Sequence, residues 1–312
     1  MASTNEFTVS CREMGSHEAN VLYKGAICRA GALALESQLE SLFGYFQYRR
    51  ITLSLESPGG AIDGLDYVLR LMKKWARQGR VVAVESTFVC ASAAAFLLAM
   101  GEWGRRSVDR STMLLFHSSR IEAPAMLGMT AAISSNLSST LQSVDRRLLE
   151  MLVNKMLLES GSNQDLVELV LGRMHFVEQN WMQLAGDLST LTAGADGSRK
   201  PDWLKGLQKW TRHGADPKRF VAEMKKYLSL RLQQDSRMDL CEAYVLCLID
   251  QIDGVVDADS VTHAPLPAAV AQDHFPDQPR VEGAQQRPGV DRPQPAMKLR
   301  GPLATKQTGW LW

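Results

Sequence analysis

An α/β layered fold with largely parallel strands is predicted by three features of the sequence. Short apolar runs alternate with helical patterns from about residue 21 to His117. One long amphipathic stripe follows, from Thr130 to Ser160. Regular patterning then ends near residue 264, where the composition changes sharply.

The elements follow in order. Val21-Leu22-Tyr23 leads into Gly25, and Ala32 to Phe46 reads as a helix. Ile51-Thr52-Leu53-Ser54-Leu55 reads as a strand ended by Ser57-Pro58-Gly59-Gly60. Ala61 to Gln78 is helical, with Leu65, Val68, Leu69 and Met72 on one face. Val81 to Val84 is a strand, Ser92 to Gly101 a helix of small residues, and Thr112 to Phe116 a strand ending at His117.

From Thr130, the residues Ile133, Leu137, Leu141, Val144, Leu148 and Leu152 repeat at three- and four-residue steps. At the α-helical rise such a helix would extend roughly 45 Å. A stripe that long needs a surface to bury it, which points to a partner subunit. The alternative is a helix broken near Ser135 to Ser139 and packed on its own domain. A second helical block runs from Ser162 to about Leu191, with Ser162 and Asp165 at capping-box-like spacing. After a loop around residues 193–201, Asp216-Pro217 opens another helix. Trp181, Trp203 and Trp210 indicate that the stretch 160–215 packs rather than dangles. Val245 to Asp250 closes the folded part. Eight of the twelve prolines lie in the last 49 residues, so 264–312 is expected to be a disordered tail. Its apolar ending, Gly309-Trp310-Leu311-Trp312, is either chance or a short docking peptide.

Composition narrows the function. The 35 Lys and Arg against 34 Asp and Glu leave a net charge of +1. That argues against a protein that coats nucleic acid or an anionic membrane. The longest apolar run, Val89 to Met100, is too short for a bilayer, and no apolar stretch follows the first residues. The five cysteines are scattered without CxxC spacing, so neither a disulfide framework nor a zinc cluster is indicated. The expectation is a soluble protein of a reducing compartment, the cytoplasm.

Three places could carry chemistry. The glycines of Ser57-Pro58-Gly59-Gly60 allow positive φ and leave amides free to stabilise an oxyanion; alternatively they form a plain turn. Ser92 stands among small residues where a strand gives way to a helix. It is either a nucleophile favoured by the helix dipole or an ordinary N-cap. His117 ends a strand 25 residues later, where neutral imidazole could serve a serine hydroxyl as base.

Taken together in this order and spacing, these segments resemble the proteolytic subunit of the Clp protease, a serine peptidase with a crotonase-like fold. The similarity covers about residues 21–158 and 228–256. Ser57-Pro58-Gly59-Gly60 looks like the family's oxyanion turn. Cys90-Ala91-Ser92-Ala93-Ala94-Ala95-Phe96 through Gly101 looks like its nucleophile segment. The resemblance implies Ser92 as nucleophile, His117 as general base, and the amides of Gly60 and Ala93 as the oxyanion hole. The helix from Thr130 resembles the handle that interdigitates two rings, and Leu240-Cys241-Glu242-Ala243 with Leu248-Ile249-Asp250 resembles the closing segment. Counting back from Glu242 puts Asp235 at the third catalytic position, with Asp239 as the fallback.

Three departures stand out. Phe88 occupies a place where the family has glycine, residues 160–215 have no recognised counterpart, and Leu232-Gln233-Gln234 differ from the family's charged lead-in. The resemblance implies a chamber of stacked rings, usually heptameric and either homo-oligomeric or mixed, that hydrolyses unfolded proteins or peptides. A separate AAA+ unfoldase would feed it. The sequence has no GxxxxGK[ST] loop, so ATP would be used by that partner, and the chain needs no cofactor or metal. The other reading is a non-catalytic structural or regulatory ring subunit. A membrane-linked signal-peptide peptidase with a Ser/Lys dyad, or an acyl-CoA enzyme of crotonase type, fits the sequence less well.

Overall fold

The computed structural model describes residues 6–13, 18–119, 131–188, 201–210, 216–234 and 236–256. The tail expected over 264–312 and Asp235 lie outside the described residues.

A seven-stranded sheet carries the fold. Strand β1 (Phe7–Glu13) pairs antiparallel with β2 (Glu18–Gly25), and all further pairings are parallel. β3 (Arg50–Ser57) and β4 (Val81–Ala91) follow, then β5 (Arg106–Val108) and the short β7 (Gln251–Ile252). β6 (Met113–Leu115) leaves this path and pairs with β4. The α/β layers and parallel strands are those the alternating pattern predicts. β1 precedes the first element that the sequence pattern indicates, at Val21.

β4 is longer than the expected Val81 to Val84 because two strands share its edge. Val84 to Ser86 pair with β5, and Val89 to Ala91 pair with β6. Between those stretches the register against β3 slips: Leu55 faces Ser86 but Ser57 faces Cys90. Two steps on β3 thus match four on β4, a bulge that turns Thr87 and Phe88 outward. Phe88 is 66% exposed, so the departure from the family's glycine is accommodated at the surface.

Helices cover the sheet. α1 (Arg29–Glu40), prolonged by a wider turn at Ser41–Tyr45, packs on α2 (Ile62–Ala76). Leu65, Val68, Leu69 and Met72 of α2 face the core as their spacing predicts. α3 (Ala93–Ala99) is entirely buried. α4 (Ala131–Ser160) is unbroken for 30 residues, the single long helix its stripe predicts, without the alternative break near Ser135 to Ser139. Only the C-terminal half of its stripe is covered. Leu148 and Leu152 are buried, Leu137, Leu141 and Val144 are half-buried, and Ile133 is exposed.

Among the described residues four further helices follow: α5 (Asn163–Gln179), α6 (Trp181–Leu188), α7 (Asp202–Gln208) and α8 (Pro217–Gln233). Ser162 caps α5 by accepting from the Asp165 amide, and Asp216 caps α8 by accepting from Arg219. The tryptophans do pack. Trp181 meets Trp203 edge-on, and Trp210 meets Phe220 and Tyr227. α9 (Leu240–Val245) leads into β7.

A buried charge cluster fastens the end of the fold to its centre. Asp250 accepts from Arg106 Nε at 2.7 Å and Nη2 at 2.6 Å, and from Arg173 Nη2 at 3.1 Å. Arg173 also donates to the carbonyls of Tyr244 and Ile249. Burial alone would raise the Asp250 pKa, but the two guanidinium groups outweigh it and hold the carboxyl at about 2. No described helix is long and apolar enough to cross a membrane.

Candidate active site

The site gathers at the C-terminal ends of β3, β4 and β6. Ser57 Oγ accepts from the Gly59 amide at 3.1 Å, which starts the turn after β3. Gly59 and Gly60 both have positive φ, +99° and +152°. A Cβ on Gly60 would stand 2.1 Å from the Ile27 carbonyl oxygen, so glycine is required there for space as well as conformation. The Ile27 amide donates to Gly59 O, and the Ala61 amide donates to Ile27 O. In this parallel pairing the Gly60 amide takes no part.

Ser92 joins β4 to α3 with φ 58° and ψ −125°, a conformation that costs a non-glycine residue on the order of 1–3 kcal/mol. It occupies the N-cap position of α3 but makes no side-chain capping hydrogen bond. The hydroxyl is buried and has no hydrogen-bond partner among the described residues. The ordinary reading of Ser92 as an N-cap therefore fails. Its amide donates to Leu115 O at 2.7 Å, which ties the bend to the end of β6. Ala93, the first residue of α3, has an amide without an intrahelical acceptor.

His117 lies two residues past the Ala91–Leu115 pair and is 3% exposed. Its Nδ1 is 2.8 Å from the Ser118 carbonyl oxygen. The Ser118 amide donates to Leu232 O at 2.8 Å. The Ser119 amide donates to Asp145 Oδ1 of α4 at 2.8 Å, and the Ser119 hydroxyl donates to the same oxygen. Ser92 and His117 thus follow paired strands, and no hydrogen bond from the Ser92 hydroxyl to His117 is formed. Catalytic hydrogen bonds commonly tighten only when substrate binds.

The closing segment approaches the end of β6. Leu115 bridges Arg237, and the Met238 amide donates to Leu114 O at 2.9 Å. Residues 232 and 237, on either side of Asp235, are therefore bonded to Ser118 and Leu115, on either side of His117. Arg231 reaches along the same loop to Gln234, Ser236 and the Arg237 carbonyl. It also pairs with buried Glu242, which accepts from Tyr227 as well. The fallback residue, Asp239, has another task. Its carboxylate caps α9 by accepting from the amides of Cys241 and Glu242, and burial pushes its pKa upward.

Residues 5–178 match the family model described as Clp protease, more than half of the chain. The chain belongs to the Clp protease family. No curated protein matches it. The Clp protease match takes in nearly all of α5, so it reaches into the stretch 160–215 for which the motifs alone indicate no counterpart. It ends before α6, α7, α8 and the closing segment. Arg231, Ser119 and Asp145 are the site neighbours that the motifs of this Clp-family chain did not reveal. Their partners are set by packing between distant elements, which no local spacing encodes.

Proposed function

We propose that this chain is a subunit of a Clp-type serine endopeptidase. Ser92 attacks a peptide carbonyl, and His117 takes the hydroxyl proton and returns it to the leaving amine. Water then hydrolyses the acyl-enzyme. The Gly60 and Ala93 amides hold the oxyanion, and Asp235 orients His117. The observation that carries this reading is Ser92 itself: a strained backbone at a helix start, with a buried hydroxyl given neither to capping nor to any other bond among the described residues. Such strain gathers at functional sites. For Asp235 the support is the bonding of its neighbours around His117.

The exposed N-terminal half of α4 supports assembly into stacked rings, where a second copy would cover Ile133 and Leu137. Unfolded protein enters that chamber from a separate ATP-driven AAA+ unfoldase in the cytoplasm. A non-catalytic ring subunit is the second reading. It is favoured by the absence of a Ser92 hydroxyl bond to His117. Labelling with a fluorophosphonate separates the two. The peptidase labels, and both Ser92→Ala and His117→Ala abolish the label. An intact oligomer that takes no label is the scaffold.

A further inference from the structure

The peptide group between Ser118 and Ser119 has a bonding partner at each end. Its carbonyl oxygen lies 2.8 Å from His117 Nδ1, and its N–H lies 2.8 Å from Asp145 Oδ1. Because a peptide is planar and trans, those two bonds leave it in opposite directions. A carbonyl oxygen only accepts, so the imidazole proton in this arrangement sits on Nδ1, and Nε2 carries the lone pair. The carboxylate draws on the N–H and adds negative character to the carbonyl, since hydrogen bonds in a chain polarise one another.

From this geometry we infer that Asp145 is a positioning residue for His117, acting through the Ser118–Ser119 peptide. The inference rests on the proposed role of His117 as base. Asp145 favours the tautomer in which Nε2 can take the Ser92 proton, and it stabilises the imidazolium that results. The same peptide is held on its other flank, where the Ser118 amide donates to Leu232 O. The Ser119 hydroxyl doubles the contact to Asp145, and Ser119 is itself buried. Asp145 stands on α4, 26 residues from Ser119, so the placement of that long helix is felt at the imidazole. Asp235, proposed above to orient the same imidazole, acts on it beside Asp145; the other charged groups along this groove are Arg146 and Glu150 of α4 and Lys225 and Lys226 of α8. Glu150 pairs with Lys225 at 3.4 Å. Arg237 lies on the far side, at its bridge to Leu115.

The test compares full-length wild type with Asp145→Asn, Asp145→Ala and Ser119→Ala. Each is first checked for fold by circular dichroism and for assembly by sedimentation. The rate of fluorophosphonate labelling is then followed against pH. Asp145→Ala is expected to lose roughly tenfold, the scale of a hydrogen bond to a charged group. Asp145→Asn keeps an acceptor of the same shape and loses less. In both, the acidic limb of the profile moves to lower pH, because the imidazolium has lost a nearby anion. Ser119→Ala keeps the amide and loses less than Asp145→Ala. A residue that only packs the helix would change the rate without moving the limb. An unmoved limb in Asp145→Ala, or a larger loss in Ser119→Ala, overturns the inference. If wild type itself takes no label, the proposed function fails, and the inference is decided by the 15N spectrum of histidine-labelled protein. The Nδ1–H tautomer of His117 should predominate in wild type and decline in Asp145→Ala; equal tautomer populations overturn the inference.

Discussion

Gly59 lies against the side chain of Ser92 so closely that a Cβ on it would stand 2.4 Å from the Ser92 Cβ and 2.9 Å from its Oγ. The turn after β3 and the bend after β4 are thereby fitted to one another. Gly59→Ala adds that methyl group at a φ of +99°. It is expected to destabilise the fold by roughly 1–3 kcal/mol. It should also suppress labelling of Ser92 by displacing its hydroxyl. Thermal melts and fluorophosphonate labelling of the same preparation check both effects.

Ser92 separates stability from activity. Its hydroxyl forms no hydrogen bond among the described residues, and its backbone is strained. Ser92→Gly should relieve the strain and stabilise the chain by about 1 kcal/mol, whereas Ser92→Ala keeps the Cβ and gains less. Both lose the label. Denaturant midpoints that rank glycine below wild type would contradict this account.

Asp250 governs stability in acid. Its pKa of about 2 in the folded chain is below the ordinary carboxylate value of about 3.9 in the unfolded one. The contribution is therefore complete above about pH 4 and is lost as pH falls towards 2. Asp250→Asn leaves two buried guanidinium groups without their carboxylate, and a loss of about 3–5 kcal/mol is expected. Urea unfolding at neutral pH and at pH 3 should show the difference between wild type and variant narrowing in acid.

Arg231 joins α8 to the loop before α9 through Glu242, whose side chain is 1% exposed. Arg231→Ala should cost about 3 kcal/mol, because the Glu242 carboxylate stays buried with Tyr227 as its remaining side-chain donor. Tyr227→Phe should cost about 1–2 kcal/mol for its single bond to Glu242. Peptidase activity is expected to fall further than stability in Arg231→Ala, since the same guanidinium holds Gln234 and Ser236. Activity that tracks the folded fraction alone would refute this.

The exposed stripe of α4 predicts an assembly defect. Ile133→Asp, at a residue 52% exposed, should leave the melting temperature of the isolated chain nearly unchanged. It should shift the sedimentation profile towards smaller species. Unaltered assembly in Ile133→Asp with Leu137→Asp would refute the proposed contact through α4.

Much of this was legible in the sequence because it is local. The α2 face followed from Leu65, Val68, Leu69 and Met72, and the caps at Ser162 and Asp216 from their residue types and spacing. Ser92 and the double glycine are legible through their order and spacing with His117, which resemble the family's motifs; each alone reads equally as a cap or a turn. What escaped is non-local. The bulge that exposes Phe88 comes from β4 meeting two partners, which no alternation in residues 81–91 reports. The capping role of Asp239 is local as well, legible in its place just before Leu240. Asp145 lies in a helix whose apolar stripe gives no sign of its polar tether to Ser119.

The order in which the chain is made gives the bridge between β6 and residues 237 and 238 a further meaning. Leu114 and Leu115 wait for Met238 and Arg237, and Ser118 waits for Leu232. A polypeptide still emerging from the ribosome has its serine and histidine long before those partners arrive. Completion of the cleft is thus deferred until the segment from Leu232 to Met238 has been made and has folded back onto β6.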